Sequence, residues 1–359
     1  MSDQMNPYSS RKPIRSSEMF FGRSRELLEI AQFLRGNQSV SIVGPPGIGK
    51  TSLLLQLTRP QIAAELGLWN GSLVSYVDCV ALEKESSQGV LHHFVTTLMV
   101  EMESRSLPQE VELRNAIAFP SRLAFESALR ALNRRGLQVV FLLDHFERLS
   151  VNPRIDFPFF NALRSAAGRF RLAYLTATAR PLIDLTYSGR SGEILSSPFF
   201  NIFAPLHLGL LPEEDARELI QKTPQRTGRP FSTDISNFLY GLAGGHPLIL
   251  QTACCHAVEC PDDRAGIEER TILEIQPYID SIWRNLSEIE KRTLLGIAGN
   301  PSPNSSMGLD EAVLRQLEQQ CLLIQANGGY ACPGKVWTDF LTRQFPLPGT
   351  TPAGDIPSR

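Results

Sequence analysis

The sequence lacks the features of a membrane, secreted or strongly charged protein. No apolar run approaches the roughly 20 residues that a helix needs to cross a bilayer. The 35 basic side chains are balanced by 37 acidic ones, and this net charge of -2 excludes a global field that would hold nucleic acid or an anionic membrane. The six cysteines, without a signal-peptide apolar core before them, are typical of buried thiols rather than of a disulfide framework. We therefore expect a cytoplasmic protein without a membrane partner.

Short apolar runs alternate with amphipathic stretches up to about residue 208. Hydrophobic side chains make up 42% of the composition, which is enough to fill substantial cores. Short runs that are apolar at successive positions are typical of strands buried on both faces, and helical patterns separate them. Strands are predicted at residues 39–43, 73–79, 139–143, 172–176 and 201–206. This alternation predicts an α/β domain over residues 18–210, built on a five-stranded parallel sheet.

The remaining segments have different patterns. Residues 211–286 show only helical periodicity, which begins with a proline and three acids that suit a helix N-terminus, and they predict a helical domain. Residues 287–345 contain two helical segments, two short extended runs around a turn of one asparagine and two glycines, and a last helix. This order predicts a winged helix. Residues 1–17 and 346–359 have few large apolar side chains and several prolines, so we expect both ends to be disordered.

The strongest functional signal is a glycine-rich segment between a predicted strand and a predicted helix. It consists of Gly44, Pro45, Pro46, Gly47, Ile48, Gly49, Lys50 and Thr51. Glycines allow backbone N–H groups to turn inward around a polyphosphate, and the N-terminus of the following helix adds partial positive charge. In such a loop the lysine reaches the β- and γ-phosphates, and the threonine hydroxyl coordinates Mg²⁺. The segment therefore predicts a P-loop that binds ATP or ADP with Mg²⁺.

An acidic residue follows the third predicted strand. Asp144 comes at the carboxyl end of that strand, where ligands bind in parallel α/β sheets, and it is predicted to hold Mg²⁺ together with Thr51. Glu147 is the candidate for polarising the attacking water, or is only an acidic complement to a helix start. His145 stands directly after the metal acid, where many ATPases have glutamate, so hydrolysis is less strongly predicted than binding.

The fourth predicted strand leads into a polar segment that ends in Arg180. A cationic or polar group at the tip of the strand beside the P-loop strand can contact the γ-phosphate and so register its presence. Arg180 and Thr178 are the candidates for this contact. The other interpretation of Arg180, which precedes a proline, is a charged residue of a loop that is exposed to solvent and contacts no phosphate.

Five motifs in a fixed order resemble those of the STAND class of P-loop ATPases, the signal-transduction branch near the AAA+ and origin-recognition ATPases. Besides the P-loop and Arg180, they are Phe20-Phe21-Gly22-Arg23-Ser24-Arg25-Glu26, Asp144-His145-Phe146-Glu147 and Gly245-His246-Pro247. The resemblance spans residues 20–345 and implies a nucleotide-binding core, a helical lid and a winged helix. It also implies that Phe21, Gly22 and Arg23 line the adenine and ribose.

The same resemblance implies a nucleotide contact in the predicted lid. There Pro247 caps the base and His246 approaches the phosphates. On sequence alone, a glycine before a proline in this segment also suits a simple helix boundary. Ser52, which follows the P-loop, is counted with the nucleotide-binding residues.

Three functions are compatible with these features. The first is a molecular switch that binds ATP, hydrolyses it slowly, and changes its domain arrangement or oligomerises to signal to separate partner proteins. The alternative is a DNA-associated ATPase of the loader or transposition-regulator kind, with a basic surface made by Arg130, Arg134, Arg135, Arg164, Arg169 and Arg171. The third is a scaffold that holds ADP permanently for stability.

The charge of the predicted winged helix favours the switch over DNA binding. Residues 281–345 have six basic and six acidic side chains, and the predicted recognition helix at 310–321 has three acids and one arginine. A helix that reads DNA normally presents basic and amide groups. DNA is therefore the less favoured partner, and we expect a nucleotide, separate proteins and further copies of this chain instead.

Overall fold

The computed structural model of the chain describes residues 6–8, 12–187, 199–226, 230–299 and 310–344. The chain divides into two compact units. The sheet unit is Pro13–Leu208, and the helical unit is Gly209–Arg359 together with Met1–Lys12. No helix within the described ranges is both long enough and apolar enough to span a bilayer.

Five parallel strands form the centre of the sheet unit, as the apolar runs predict. They are β1 (Ser39–Val43), β2 (Ser72–Asp78), β3 (Gln138–Asp144), β4 (Leu172–Thr178) and β5 (Phe203–His207). Their spatial order is β2-β3-β4-β1-β5, so that β4 lies between β1 and β3. All positions of β1, β3 and β4 are buried, because helices cover both faces of the sheet. The predicted five-stranded parallel sheet is confirmed.

Helices pack on the two faces of this sheet. They are α1 (Ser24–Arg35), α2 (Lys50–Leu57), α3 (Pro60–Glu65), α4 (Ser87–Ser104), α5 (Val111–Ala118), α6 (Arg122–Arg134), α7 (Phe146–Ser150), α8 (Phe157–Arg169) and α9 (Leu182–Tyr187). On one face, Phe141 and Leu143 of β3 join a hydrophobic cluster in which the ring of Phe94 stacks on Phe141, with 4.6 Å between centroids. Side chains alternate along a strand, so Leu142 and Asp144 point to the other face. The buried leucines of α2 are not among the residues of this cluster, and α2 packs against β3 and β2, so α2 lies on the other face.

The helical unit consists of helices and one short hairpin. Its elements are α10 (Glu213–Arg226), α11 (Thr233–Ala243), α12 (Pro247–Glu259), α13 (Arg264–Asn285), α14 (Glu288–Gly299), α15 (Glu311–Gln319), β6 (Ile324–Ala326), β7 (Gly329–Ala331) and α16 (Lys335–Gln344). The strands β6 and β7 pair antiparallel. From α14 onward the order is helix, helix, hairpin and helix, and the winged-helix assignment stays a prediction.

The segments 211–286 and 287–345 both lie in the helical unit, and the boundary that the sequence places between them stays a prediction. A close backbone contact connects the two segments. Gly244 has a φ of 59°, and a Cβ atom there would lie 2.4 Å from the backbone of both Pro333 and Gly334. Gly334 has a φ of 79°, and a Cβ atom there would lie 2.6 Å from the nitrogen of Gly244. Glycine suits both positions, because the left-handed conformation and the short distances disfavour a side chain.

Part of the N-terminal segment that the sequence predicts to be disordered makes specific contacts. Tyr8 is only 4% exposed, and its hydroxyl donates to the carbonyl of Ile220 at 3.1 Å. The backbone N–H of Ile14 donates to Oγ of Ser52 at 3.0 Å. A buried ring and paired backbone groups offset the entropy of ordering, which composition alone does not reveal. Residues 1–5 and 9–11 of that segment, and the tail at 346–359, lie outside the described residues.

We expect Gly244→Ala to destabilise the helical unit, whereas Gly241→Ala, three residues earlier in α11, does not. At Gly244 the added methyl group meets backbone atoms and the φ angle is unfavourable, so the loss should be roughly 2 to 4 kcal/mol. A Cβ atom on Gly241 has no neighbour within 4 Å, and alanine there should stabilise the helix by up to about 1 kcal/mol. Urea unfolding, followed by circular dichroism, measures the stability of both variants and of the wild type. Equal midpoints for the two variants would contradict the importance of the Gly244 contact.

Candidate functional site

The glycine-rich segment 44–51 connects the end of β1 to the start of α2. Gly47 and Gly49 have φ angles of 72° and 101°, in the left-handed region that favours glycine. Gly49 is the N-cap of α2, and in the described structure no atom outside residues 48–50 lies within 4 Å of the position that a Cβ atom would take there. The segment thus forms a tight loop with open space beside the N-terminus of α2. Backbone N–H groups at such a terminus are suited to binding an anion.

The first glycine of this loop is packed between two strand ends. The N–H of Gly44 donates to the carbonyl of Thr178, the last residue of β4, at 3.2 Å. A Cβ atom on Gly44 would lie 2.7 Å from the carbonyl oxygen of Leu208, just after β5. The N–H of Leu208 in turn donates to the carbonyl of Val43 at 2.8 Å. The start of the loop therefore has backbone on both sides and no room for a side chain.

Lys50 lies inside the loop. Its Nζ donates to the carbonyl oxygens of Gly44 at 2.7 Å and Pro45 at 3.0 Å. Lys50 and Thr51 are the first two residues of α2, so the ammonium and the hydroxyl group belong to the same helix N-terminus. This is the arrangement that a P-loop lysine and threonine need to reach phosphate oxygens and a metal ion.

The motif around Arg23 lies against the same loop. Arg23 is 5% exposed, and its Nη2 donates to the carbonyl of Ile48 at 3.3 Å, while Nη1 pairs with Glu26 at 2.9 Å. Phe21 is buried, and Gly22 has a φ of 69°. The structure therefore brings this motif to the P-loop. The contacts of these residues with adenine and ribose stay a prediction.

Asp144, the last residue of β3, is 1% exposed. Its Oδ2 accepts a hydrogen bond from the hydroxyl of Tyr76 at 2.9 Å, and its Oδ1 accepts one from the backbone N–H of His145 at 3.1 Å. Within the described ranges it forms no ion pair with a lysine or arginine, and Nδ1 of His145 lies 3.7 Å from Oδ2. A buried carboxylate is costly unless a positive charge compensates it. Asp144 is therefore suited to binding a cation.

Sequence reasoning missed Tyr76, because its contact depends on the pairing of β2 with β3. Burial raises the pKa of the Tyr76 hydroxyl well above its ordinary value, and the negative charge of Asp144 raises this pKa further. The hydroxyl therefore stays protonated and donates to the carboxylate. The signal in the sequence is weak: a tyrosine stands two residues before the acidic end of an edge strand.

These residues fit a Mg²⁺ ion. Asp144 points to the face of the sheet on which α2 packs, and Thr51 lies in the first turn of α2. Carboxylate and hydroxyl oxygens are ligands of Mg²⁺, which also keeps several waters and binds phosphates of the substrate. In the described part of the chain, no group of three or more histidine, cysteine, aspartate or glutamate side chains could hold a metal. Thr51 and Asp144 would hold the ion together with waters and nucleotide phosphates.

The two candidates for polarising water both lie near Asp144. His145 has a φ of 51°, its side chain is 44% exposed, and its Nδ1 lies 3.3 Å from Oδ1 of Asp78 at the end of β2. Glu147 is the second residue of α7, and its Oε2 is buried without a hydrogen-bond partner in the described structure. Helix α7, which contains Glu147, packs against the segment after β2 at Cys79–Leu82. The choice between His145 and Glu147 stays a prediction.

The tip of β4 stands directly beside the end of the P-loop strand. Thr178 is fully buried and lies opposite Val43 of β1. Its hydroxyl donates to the carbonyl of Arg180 at 2.8 Å, and the Arg180 side chain is exposed. The placement of this segment beside the P-loop agrees with the sequence analysis. Contact between Arg180 and a phosphate stays a prediction.

Three predicted nucleotide-binding residues belong to the other unit or have other partners. His246 is the N-cap of α12 and 1% exposed, with its Nε2 at 2.8 Å from the hydroxyl of Tyr278. His246 and Pro247 belong to the helical unit, whereas the P-loop belongs to the sheet unit. Oγ of Ser52 accepts the hydrogen bond from Ile14, so Ser52 fixes the N-terminal segment to α2. Nucleotide contacts by these three residues stay predictions.

The parallel sheet, the loop around Lys50 and the buried Asp144 define a P-loop nucleoside triphosphatase. The sequence model of the family described as "Novel STAND NTPase 2" matches residues 48–282, which is more than half of the chain. The protein belongs to this family of STAND NTPases. No curated protein sequence matches the chain.

Solved structures share this fold at low sequence identity. The Walker-type ATPase PABY2304 of Pyrococcus abyssi is 14% identical with a TM-score of 0.66, over 92% of this chain and 98% of that chain. The ORC2 protein of Aeropyrum pernix, in its ADPNP-ADP complexes, is 14% identical with a TM-score of 0.52, over 95% of this chain and 98% of that chain. At these identities the likeness concerns the fold alone.

We expect Lys50→Ala to weaken the binding of ATP with Mg²⁺ by roughly 10- to 100-fold, because it removes charge-assisted hydrogen bonds to the phosphates. The matched control is Lys84→Ala, which removes an exposed lysine outside the loop and should bind like the wild type. Isothermal titration calorimetry with ATP and Mg²⁺ measures all three affinities. Equal binding by the wild type and Lys50→Ala would contradict the P-loop assignment.

Proposed function

We propose that the protein is a nucleotide-operated molecular switch. It binds ATP with Mg²⁺, hydrolyses it slowly, and changes its domain arrangement or oligomerises with nucleotide state to signal to separate partner proteins. The observation that carries this proposal is the short segment 208–211, which is anchored to the P-loop at one end and to the predicted lid motif at the other. A switch requires an element that ligand and output can both influence.

The first anchor lies in the sheet unit. Leu208 donates its N–H to the carbonyl of Val43, and its carbonyl oxygen fills the space that a side chain on Gly44 would need. Strand β5, which precedes Leu208, pairs with β1 so that His207 lies opposite Val43. Backbone therefore packs on backbone at this point. A shift of Gly44 on phosphate binding would be passed directly to Leu208, because close-packed groups transmit displacement.

The second anchor lies in the helical unit. The N–H of Leu211 donates to the carbonyl of Gly245 at 2.9 Å, and a Cβ atom on Gly245 would lie 2.6 Å from the carbonyl oxygen of Leu211. Gly245 immediately precedes His246, which caps α12 and contacts Tyr278 of α13. A displacement of the segment at Leu211 would therefore reach the start of α12. From there it would reach α13, the helix that leads into the predicted winged helix.

Nucleotide binding is assigned to the residues of the sheet unit. Lys50 supplies positive charge to the phosphate oxygens, and Thr51 and Asp144 supply oxygen ligands for the metal. When bound, Mg²⁺ neutralises charge on the β- and γ-phosphate oxygens. Arg180, beyond the tip of β4, is assigned to the γ-phosphate and would distinguish ATP from ADP. Slow turnover is expected, because His145 rather than a carboxylate follows Asp144.

ATP and ADP should produce different domain arrangements or assembly states. Small-angle X-ray scattering and analytical ultracentrifugation, with Mg²⁺ and either ADP or a non-hydrolysable ATP analogue, should give different radii of gyration or sedimentation coefficients. Lys50→Ala should lose this response, since it binds neither nucleotide well. Identical behaviour of the wild type in both states would contradict a switch. If mass spectrometry then detected ADP that stays bound through purification, the protein would be a scaffold that holds ADP permanently.

Glu147→Gln should retain ATP binding but lose most turnover, because the amide cannot accept a proton from the attacking water. His145→Ala should reduce turnover less, and Asp144→Ala should weaken the binding of ATP with Mg²⁺ itself. Phosphate release under single-turnover conditions, with nucleotide affinity measured in parallel, separates the three. Wild-type turnover by Glu147→Gln would reject this assignment and favour His145 or an acid from a second subunit.

Three of the six basic residues of the DNA-associated alternative, Arg134, Arg135 and Arg169, pair with acidic side chains. Arg134 and Arg169 lie in the last turns of α6 and α8, where positive charge complements the helix dipole. Arg134 pairs with Glu112, and Arg169 pairs with Glu126. These pairings reduce the positive charge available for phosphates of DNA. The switch is therefore the function that the site supports better.

A further inference from the structure

Tyr76 contacts the predicted metal acid from the edge strand β2. The register pairs Asp78 with Asp144 and Tyr76 with Leu142, so that Tyr76 and Asp144 are diagonal neighbours on one face of the sheet. The Tyr76 hydroxyl donates to Oδ2 of Asp144 at 2.9 Å. With strands about 4.8 Å apart and a rise of about 3.3 Å per residue, such neighbours are roughly 8 Å apart, a gap that aromatic and other long side chains can span. A serine or threonine at this position would be too short to reach the carboxylate.

This hydrogen bond fixes the plane of the carboxylate. The other donor to Asp144 is the backbone N–H of His145, which binds Oδ1. The χ2 torsion of aspartate is broad, so one donor alone leaves the group able to rotate. A second donor, which binds the other carboxylate oxygen, holds the carboxylate in one orientation. A fixed carboxylate suits Mg²⁺, which requires near-ideal octahedral geometry.

We propose that Tyr76 is a positioning residue that orients Asp144 and thereby sets the affinity of the site for Mg²⁺. The inference rests on the proposed binding of nucleotide with Mg²⁺, and it adds a residue that belongs to none of the five motifs. Removing a partner that orients a metal ligand typically changes metal affinity by about 10- to 100-fold. The hydroxyl of Tyr76 acts through Asp144 and not on the nucleotide.

A second tyrosine of the same sheet provides a matched control. Tyr174 of β4 is fully buried, and its hydroxyl donates to the carbonyl of Leu163 at 3.1 Å. It pairs with Phe141, and therefore points to the face opposite Asp144. Tyr174→Phe removes one hydroxyl group and one hydrogen bond from the sheet without touching Asp144. A general structural effect of losing a tyrosine hydroxyl will appear in both variants.

The experiment compares Tyr76→Phe and Tyr174→Phe with the wild type. Mg²⁺ is titrated into each protein in the presence of a fluorescent ADP analogue, and nucleotide affinity in EDTA and the thermal midpoint are measured separately. We expect Tyr76→Phe to raise the Mg²⁺ concentration at half effect roughly tenfold and to leave nucleotide affinity in EDTA unchanged. Tyr174→Phe should keep the wild-type Mg²⁺ dependence, even where its thermal midpoint falls.

Three results would overturn the positioning role while leaving the proposed function intact. They are an unchanged Mg²⁺ dependence in Tyr76→Phe, an equal shift in both variants, and a loss of nucleotide affinity by Tyr76→Phe in EDTA. An equal shift in both variants would assign the effect to the sheet as a whole. A loss of nucleotide affinity in EDTA would assign it to the P-loop. If the wild type binds no nucleotide with or without Mg²⁺, the proposed function itself fails, and this inference fails with it.

A double-mutant cycle tests whether Tyr76 acts through Asp144. In the Asp144→Asn background, Tyr76→Phe should cause no further change in Mg²⁺ dependence, and an additive change would contradict the proposal. If Tyr76→Phe does not fold, an ultraviolet difference spectrum replaces the titration. It is recorded on the Tyr174→Phe protein with ADP, before and after addition of Mg²⁺. Addition of Mg²⁺ should then perturb tyrosine absorption, and an unchanged spectrum would overturn the inference.

Discussion

Strand β4 hydrogen-bonds to β1 on one side and to β3 on the other, and this double pairing determines where chemistry can take place in the molecule. Because all five strands are parallel, the P-loop after β1, the segment with Arg180 after β4, and Asp144 at the end of β3 lie at the same edge of the sheet. Neighbouring strands are about 4.8 Å apart, so β3 is two spacings, roughly 10 Å, from the P-loop strand. Helix α2 packs on the same face as Asp144, which gives Thr51 and the carboxylate a common side of the sheet.

Glycines occur where backbone packs closely on backbone, at both ends of the segment 208–211 and just beyond it. Gly44 packs on the carbonyl of Leu208, and Gly245 packs on the carbonyl of Leu211. Gly244 then meets the turn at Gly334. Such contacts have no flexible side chain between them, so a displacement on one side is not absorbed locally. This gives the proposed switch a physical basis in packing, separate from the family to which the chain belongs.

The sequence alone predicts much of the candidate site, because the P-loop is a local pattern. Gly47, Gly49 and Lys50 are adjacent in the chain, and a strand before them and a helix after them suffice to place the ammonium at a helix N-terminus. Asp144 is predictable as the acidic end of an apolar run. Tyr76 is not, because it is 68 residues from Asp144 in the chain and meets it only through the pairing of β2 with β3.

Local patterns therefore determined the strands and the P-loop, since a run of successive apolar residues and a glycine-rich segment are each defined by a few neighbouring positions. Only the tertiary structure decided the strand order and the close backbone contact between the segments 211–286 and 287–345. It also decided the burial of Tyr8, in a segment whose composition indicates disorder. These features depend on contacts between residues far apart in the chain, where the energy comes from packing and pairing partners that no local pattern specifies.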